Sequence, residues 1–264
     1  MKAIKSIGVL LCATILFSCE KNTHVPNNIL KFSPCKTTQI WAVPGCMCYV
    51  TVKDTSFYGF NELTTINSEG NLEISSKEYL LAISTAELSD SIFHPSTVYI
   101  PVYHIRDSSF TGGEHNSFIE EQLATSYRRK EAESTASSGD AINLVEIEYR
   151  TDGIRNLKIS ATCQLWGEAP GNVLNDYFFI TKYVPEAIVS SKTDKLLFGF
   201  TEEKDMPKNI NEWLELEPYT APSIRVMFNE APPELPCDVQ FIVEMETDEG
   251  VILSTISMVV HITQ

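Results

Sequence analysis

Cations are scarce in this 264-residue chain: 20 lysines and arginines stand against 35 aspartates and glutamates, for a formal charge of −15. Nucleic acid would meet like charge, so no nucleic-acid partner is expected. The carboxylates are scattered along the chain, which reads as a solvated surface rather than a cation site. The 12 glycines build no phosphate-cradling loop, and no Gly-x-Ser-x-Gly nucleophile pattern occurs. The five histidines, His24, His94, His104, His115 and His261, form neither His-x-x-x-His nor His-Glu-x-x-His. Cys46-x-Cys48 has no histidine close downstream to complete a zinc site. No catalytic residue, no metal and no cofactor is expected.

Long apolar runs are also missing. The apolar stretch Ile7 to Phe17 is too short to span a bilayer as a helix, and it follows Lys2 and Lys5, so it reads as an export signal. The ending Leu16-Phe17-Ser18-Cys19 resembles the bacterial lipobox, at which the cysteine is diacylated and becomes the mature N-terminus. That resemblance implies a signal peptide over 1–18, lipidation of Cys19, and attachment to a membrane, the outer one of a two-membrane envelope, with either face open. Without the leader, 246 residues carry 18 basic and 35 acidic side chains, a formal −17. Residues 20–29 are polar and aperiodic, which suits a stalk over 19–29.

Seven cysteines are present, and Cys12 and Cys19 belong to the leader and its processing site. Cys35, Cys46, Cys48, Cys163 and Cys237 remain, an odd set in which disulfides are permitted outside the cytoplasm but one thiol must stay free or pair between chains.

Two domains are the default for this length. A β-rich N-terminal module is expected over 30–115, where Tyr49 to Lys53 alternates, Leu72 and Ile74 flank Glu73, and Val98, Ile100 and Val102 share a face with Pro101 at an edge or bulge. Residues 116–140 should hold a helix and linker: Ile119, Leu123 and Tyr127 recur every four residues, and Ser117 and Glu120 have capping-box spacing. The preceding Gly112-Gly113 reads as a turn. Arg128, Arg129 and Lys130 suit the helix C-terminus without a ligand.

Residues 141–264 alternate more clearly. Val145, Ile147 and Tyr149 oppose Glu146, Glu148 and Arg150; Leu157, Ile159, Ala161 and Cys163 repeat the pattern; Ile224, Val226 and Phe228 make a third strand. Val239, Phe241, Val243 and Met245 form a fourth, meeting Ile252, Ile256, Met258, Val260 and Ile262 across the turn Thr247-Asp248-Glu249-Gly250. The expected fold is mainly β: an antiparallel, immunoglobulin-like β-sandwich in this half, with the smaller N-terminal module and one helix before it. Cys163 and Cys237 both fall on the apolar parity of their strands, at the end of one and the start of another, so a disulfide between them is a candidate and separate buried thiols the alternative.

Ala169-Pro170-Gly171, Leu174-Asn175-Asp176-Tyr177-Phe178, Trp213-Leu214-Glu215-Leu216, Ala221-Pro222 and the final hairpin resemble, over about residues 141–264, a family of Bacteroidetes lipoproteins with no assigned activity. Asp90-Ser91-Ile92 is similar to the O-glycosylation signal of exported proteins of that group, which would place a sugar on Ser91. Trp166, Asp176 and Tyr177 are the expected exposed surface. The functional expectation is a lipid-anchored, non-enzymatic binding or assembly module engaging a glycan, a peptide or another envelope protein. The alternative is an envelope hydrolase with a site assembled from dispersed residues.

Overall fold

The computed structural model describes residues 28–52, 55–62, 73–87, 113–133, 143–184, 187–189, 196–198 and 209–264. The leader with Cys19, most of the stalk, Ser91, His94, the segment around Pro101 and the 134–140 linker lie outside the described residues. Asn28 and Ile29, the last two residues of the expected stalk, already belong to a strand.

The chain is mainly β. The first strands are β1 (Asn28–Cys35), β2 (Gln39–Val52), β3 (Thr55–Glu62), β4 (Glu73–Ser75) and β5 (Tyr79–Ala86), followed by helix α1 (Ser117–Glu133). Then come β6 (Asn143–Arg150), β7 (Ile154–Ala161), β8 (Phe178–Val184), β9 (Ala187–Val189) and β10 (Leu196–Phe198). A short helix α2 (Ile210–Leu214) precedes β11 (Ser223–Phe228), β12 (Cys237–Val239), β13 (Phe241–Thr247), β14 (Ile252–Ile256) and β15 (Val260–Thr263).

The strands do not sort into the two modules expected from the sequence. An antiparallel five-stranded sheet runs β3-β2-β5-β11-β8, so β5 from the first third of the chain sits between β2 and β11. β1 pairs in parallel with β6, and β4 in parallel with β15. The remaining described pairings are β14-β13-β7, β12-β15 and β9-β10, all antiparallel. The boundary expected at 116–140 therefore does not separate two cores, because the open edges of the early strands are closed by later ones.

One core results. Ile40, Ala42, Tyr79, Leu81 and Ile83 from the early strands pack with Leu157, Ile159, Phe241, Val243 and Met245 from the late ones. Tyr79 and Phe241 rings lie 5.6 Å apart. Burial of each large apolar side chain contributes about 1.5–3 kcal/mol. β5 is buried along its whole length, which explains why Tyr79–Ala86 shows no alternation. By contrast β7 and β13 alternate as expected, with Leu157, Ile159, Ala161, Val243 and Met245 inward.

Helix α1 forms where the four-residue spacing predicts it, with Ile119 and Leu123 buried against Ile147 and Tyr149 of β6. Its cap differs from the expected Ser117–Glu120 box. Asn116 Oδ1 accepts the amides of Phe118 and Ile119, which frees Glu120 to accept from Tyr149 Oη at 2.8 Å. Gly113 lies against β1 so closely that a Cβ would stand 2.6 Å from Cys35 N and Pro34 C.

Two further expectations change. Arg150, assigned to a wet face, is 1% exposed. Its Nε donates to Thr85 Oγ1 at 2.9 Å, its Nη2 to the Thr85 carbonyl, and its Nη1 to Glu148 Oε1, so the charge is paired inside rather than hydrated. The β13–β14 hairpin forms across the expected turn, with Gly250 at φ 83°. Yet Ile252 and Ile256 point outward, 65% and 52% exposed, while Val260 and Ile262 are buried. The parity breaks at Ser257, whose amide donates to Phe241 O and whose Oγ accepts from Phe241 N, so that β15 departs into the sheet with β12 and β4.

Candidate functional site

Past the end of β7 the chain makes a two-residue hairpin turn, Leu165 to Glu168, closed by Glu168 N to Leu165 O at 2.9 Å. Its central residues, Trp166 and Gly167, have φ 52° and 79°, the two positive values of a type I′ turn. Glycine takes this conformation freely, whereas a bulky side chain there costs about 1–2 kcal/mol. The offset is local. Glu234, far along the chain, accepts the Trp166 amide at 2.8 Å and the Gly167 amide at 2.7 Å, one on each carboxylate oxygen. Partial burial pushes the Glu234 carboxyl up, but the bonds from Gly167, its own amide and Trp166 outweigh it and hold the group below the usual glutamate range.

The clamped turn presents its indole to Tyr177. The two rings stack with centroids 4.5 Å apart and planes 5° from parallel, and Trp166 meets Phe178 and Phe228 edge-on. The indole Nε1 donates to Glu230 O at 3.2 Å. Tyr177 ends a 3-10 turn (Asn175–Tyr177) anchored by buried Asn175, whose Oδ1 accepts Ile159 N and whose Nδ2 donates to Leu157 O and to Asn211 Oδ1. Asn211 in turn donates to Asp176 Oδ1 at 2.8 Å, and Asn229 donates to the Asp176 carbonyl at 3.1 Å. Asp176 is exposed beside the half-buried stack.

Trp166, Asp176 and Tyr177 thus meet on one ledge. Of the other tryptophans, Trp213 is wholly buried on α2 and anchors the core, and Trp41 is half-buried on β2. The clamp Glu234 and the supports Asn211 and Asn229 were not anticipated. Asn175 lies in the Leu174-Asn175-Asp176-Tyr177-Phe178 motif, but no sequence signal links Glu234 to the turn, because the contact spans 67 residues.

Cys163 and Cys237 are half-buried against the same core. They are free thiols rather than a bridged pair, near enough for each to perturb the other's ionisation. Burial raises both pKa values; for Cys237 the neighbouring thiol and the Asp238 and Glu234 carboxylates add to it, reaching about 12. Cys35, on β1, is buried with its Sγ donating to Ser33 O at 3.8 Å.

A second, polar feature is a cleft of about 570 Å³ lined by Lys36, Glu114, His115, Asn116, Ser117, Thr151 and Glu249. Lys36 Nζ donates to Glu249 Oε1 at 2.7 Å, and this bond holds the ammonium above its ordinary pKa. His115 Nδ1 lies 2.6 Å from Glu120 Oε1. The Tyr149 phenol on the same carboxylate is pushed up, first by burial. Behind the cleft, Glu87 accepts Lys36 N at 3.0 Å and Asp152 accepts Thr37 N. Burial raises the Asp152 pKa against the lowering effect of the Thr37 amide. His261, outside this cleft, meets Asp238 Oδ1 at 2.7 Å.

Among the described residues no group of three or more His, Cys, Asp or Glu side chains is arranged to hold a metal, and no helix is long and apolar enough to cross a membrane. The described residues form a mainly β protein in which half-buried Trp166 and Tyr177 stack beside exposed Asp176. Comparison with known protein families, curated proteins and solved structures found no match to the chain.

Proposed function

We propose that the chain is a lipid-anchored, non-enzymatic envelope protein that binds a glycan on the Trp166–Tyr177 ledge. The observation that carries this reading is the parallel ring stack, with Glu234 holding the Trp166 and Gly167 amides and Asn211 and Asn229 around Asp176. An aromatic surface packs on the C–H face of a pyranose, while adjacent carboxylate and carboxamide groups meet hydroxyls in both donor and acceptor senses. Preorganisation of the support reduces the ordering cost of binding. The anchor is read from Leu16-Phe17-Ser18-Cys19, and attachment to the outer membrane and kinship with the Bacteroidetes lipoprotein family rest on the sequence patterns alone. The two facing sheets around Tyr79 and Phe241 support a sandwich scaffold of immunoglobulin-like kind, built from both halves of the chain.

The test is titration of the full chain with a panel of soluble envelope oligosaccharides, followed by calorimetry and tryptophan fluorescence. Binding by a panel member, weakened about tenfold or more in Tyr177→Ala, a loss of about 1.4 kcal/mol, supports the reading. Binding unaffected by Tyr177→Ala and Asp176→Ala, or no binding across the panel, overturns it.

The alternative, an envelope hydrolase, draws on the cleft, where Glu120 orients the His115 imidazole as a carboxylate orients a general base. Hydrolysis of ester, amide or glycoside substrates that is lost in His115→Ala would favour it over the binding module.

A further inference from the structure

Independently of the ligand on the ledge, we propose that Cys163 and Cys237 form an oxidative modification site, a dithiol converted to a disulfide by exchange with the disulfide of an oxidoreductase or of glutathione. The geometry comes from the strand ends. Thr162 N donates to Gln240 O at 3.0 Å and Gln240 N to Thr162 Oγ1 at 3.2 Å. With the chains antiparallel at that crossing, the residue after Thr162 runs beside the segment just before Gln240, which is β12 with Cys237 at its start. Each thiol is near enough to perturb the other's ionisation, and both residues are half-buried, packed against the core yet open to a small reagent.

Other uses of two adjacent thiols fit less well. No third ligand for a soft metal stands near them among the described residues. A nucleophilic or redox-catalytic cysteine needs a depressed pKa, whereas burial and the carboxylates of Glu234 and Asp238 favour the protonated form of both thiols. Such a pair oxidises slowly unaided and depends on an exchange partner.

The step balances simply. Cys163, the less strongly shifted thiol, loses its proton and attacks one sulfur of the oxidant's disulfide, expelling one thiolate and leaving a mixed disulfide. Cys237 then loses its proton and displaces the second thiolate. The protein loses two electrons and two protons, and the oxidant's disulfide becomes two thiols. The new bond ties the strand leaving β7 to β12 and closes the chain segment that carries Trp166, Asp176 and Tyr177.

The test uses the full chain, fully reduced and then incubated with glutathione disulfide at pH 8, followed by non-reducing peptide mapping and thermal denaturation. The expected result is a Cys163 peptide linked to a Cys237 peptide, a mass lower by two hydrogen atoms, and a Tm raised by roughly 5–15 °C. Cys163→Ser and Cys237→Ser, each checked for native circular dichroism, should both abolish the rise. Recovery of both cysteines as alkylatable thiols after treatment, or linkage of either to Cys35, Cys46 or Cys48, overturns the proposal, and the mapping of the unaltered chain decides this even if a variant misfolds.

Discussion

Arg150 grips Thr85 at two points, Nε to the side-chain hydroxyl and Nη2 to the backbone carbonyl, so a cation at the end of β6 fastens the central strand of the five-stranded sheet. The pair joins early and late segments of the chain inside the core.

Arg150→Ala removes that tie and leaves the Thr85 carbonyl and Glu148 without their charged donor. The expected loss is about 3–5 kcal/mol, read from urea denaturation. Arg150→Lys should recover only part of it, since one ammonium does not reproduce the forked geometry. Full recovery by lysine would mean that charge alone matters.

Glu234→Ala should destabilise by about 1–3 kcal/mol, because the strained Trp166 turn loses both acceptors. The folded pKa of Glu234 lies below its unfolded value, so its contribution is present above about pH 4.3 and is lost as pH falls through the folded value. Unfolding midpoints of the two proteins should therefore converge at acid pH. A gap that stays constant with pH contradicts the clamp as a charged one.

Asp152 behaves in the opposite sense. Its folded pKa is raised, first by burial, so the favourable contribution is present below about pH 3.9 and is lost as pH rises through the folded value. Asp152→Asn retains an acceptor for the Thr37 amide and removes the buried charge. It should equal or exceed the unaltered chain in stability at pH 7, with the advantage disappearing below about pH 4. A variant markedly less stable at pH 7 would show that the carboxylate charge is needed there.

Gly113→Ala places a methyl group against the backbone of Pro34 and Cys35, neither of which is the free end of a flexible side chain. A cost of about 1–3 kcal/mol is expected, with faster amide exchange in α1 than in β13. Unchanged exchange in α1 would separate the helix from its contact with β1.

Local alternation made β7 and β13 legible, since each has one buried and one wet face. It failed for β5, whose two faces are both covered, and for Arg150, whose parity says solvent while its partners lie inside. The pairing of β5 with β11 is set by surfaces that meet only after folding, and no short pattern announces it. The ledge was half visible for the same reason. Trp166 and Tyr177 are close in sequence, but their supports at Asn211, Asn229 and Glu234 arrive from distant segments.

The insertion of β5 between β2 and β11 also imposes an order of events on synthesis. A growing chain can assemble β2, β3 and β5 as soon as they emerge, but Ser84 waits for Ser223, and the Val226 edge of Leu81 stays unclosed until β11 has emerged. An open strand edge in an apolar segment is a template for pairing with another molecule. Truncation before residue 223 should therefore yield aggregates instead of a smaller soluble unit, and efficient production depends on keeping unfinished chains apart until the last third is complete.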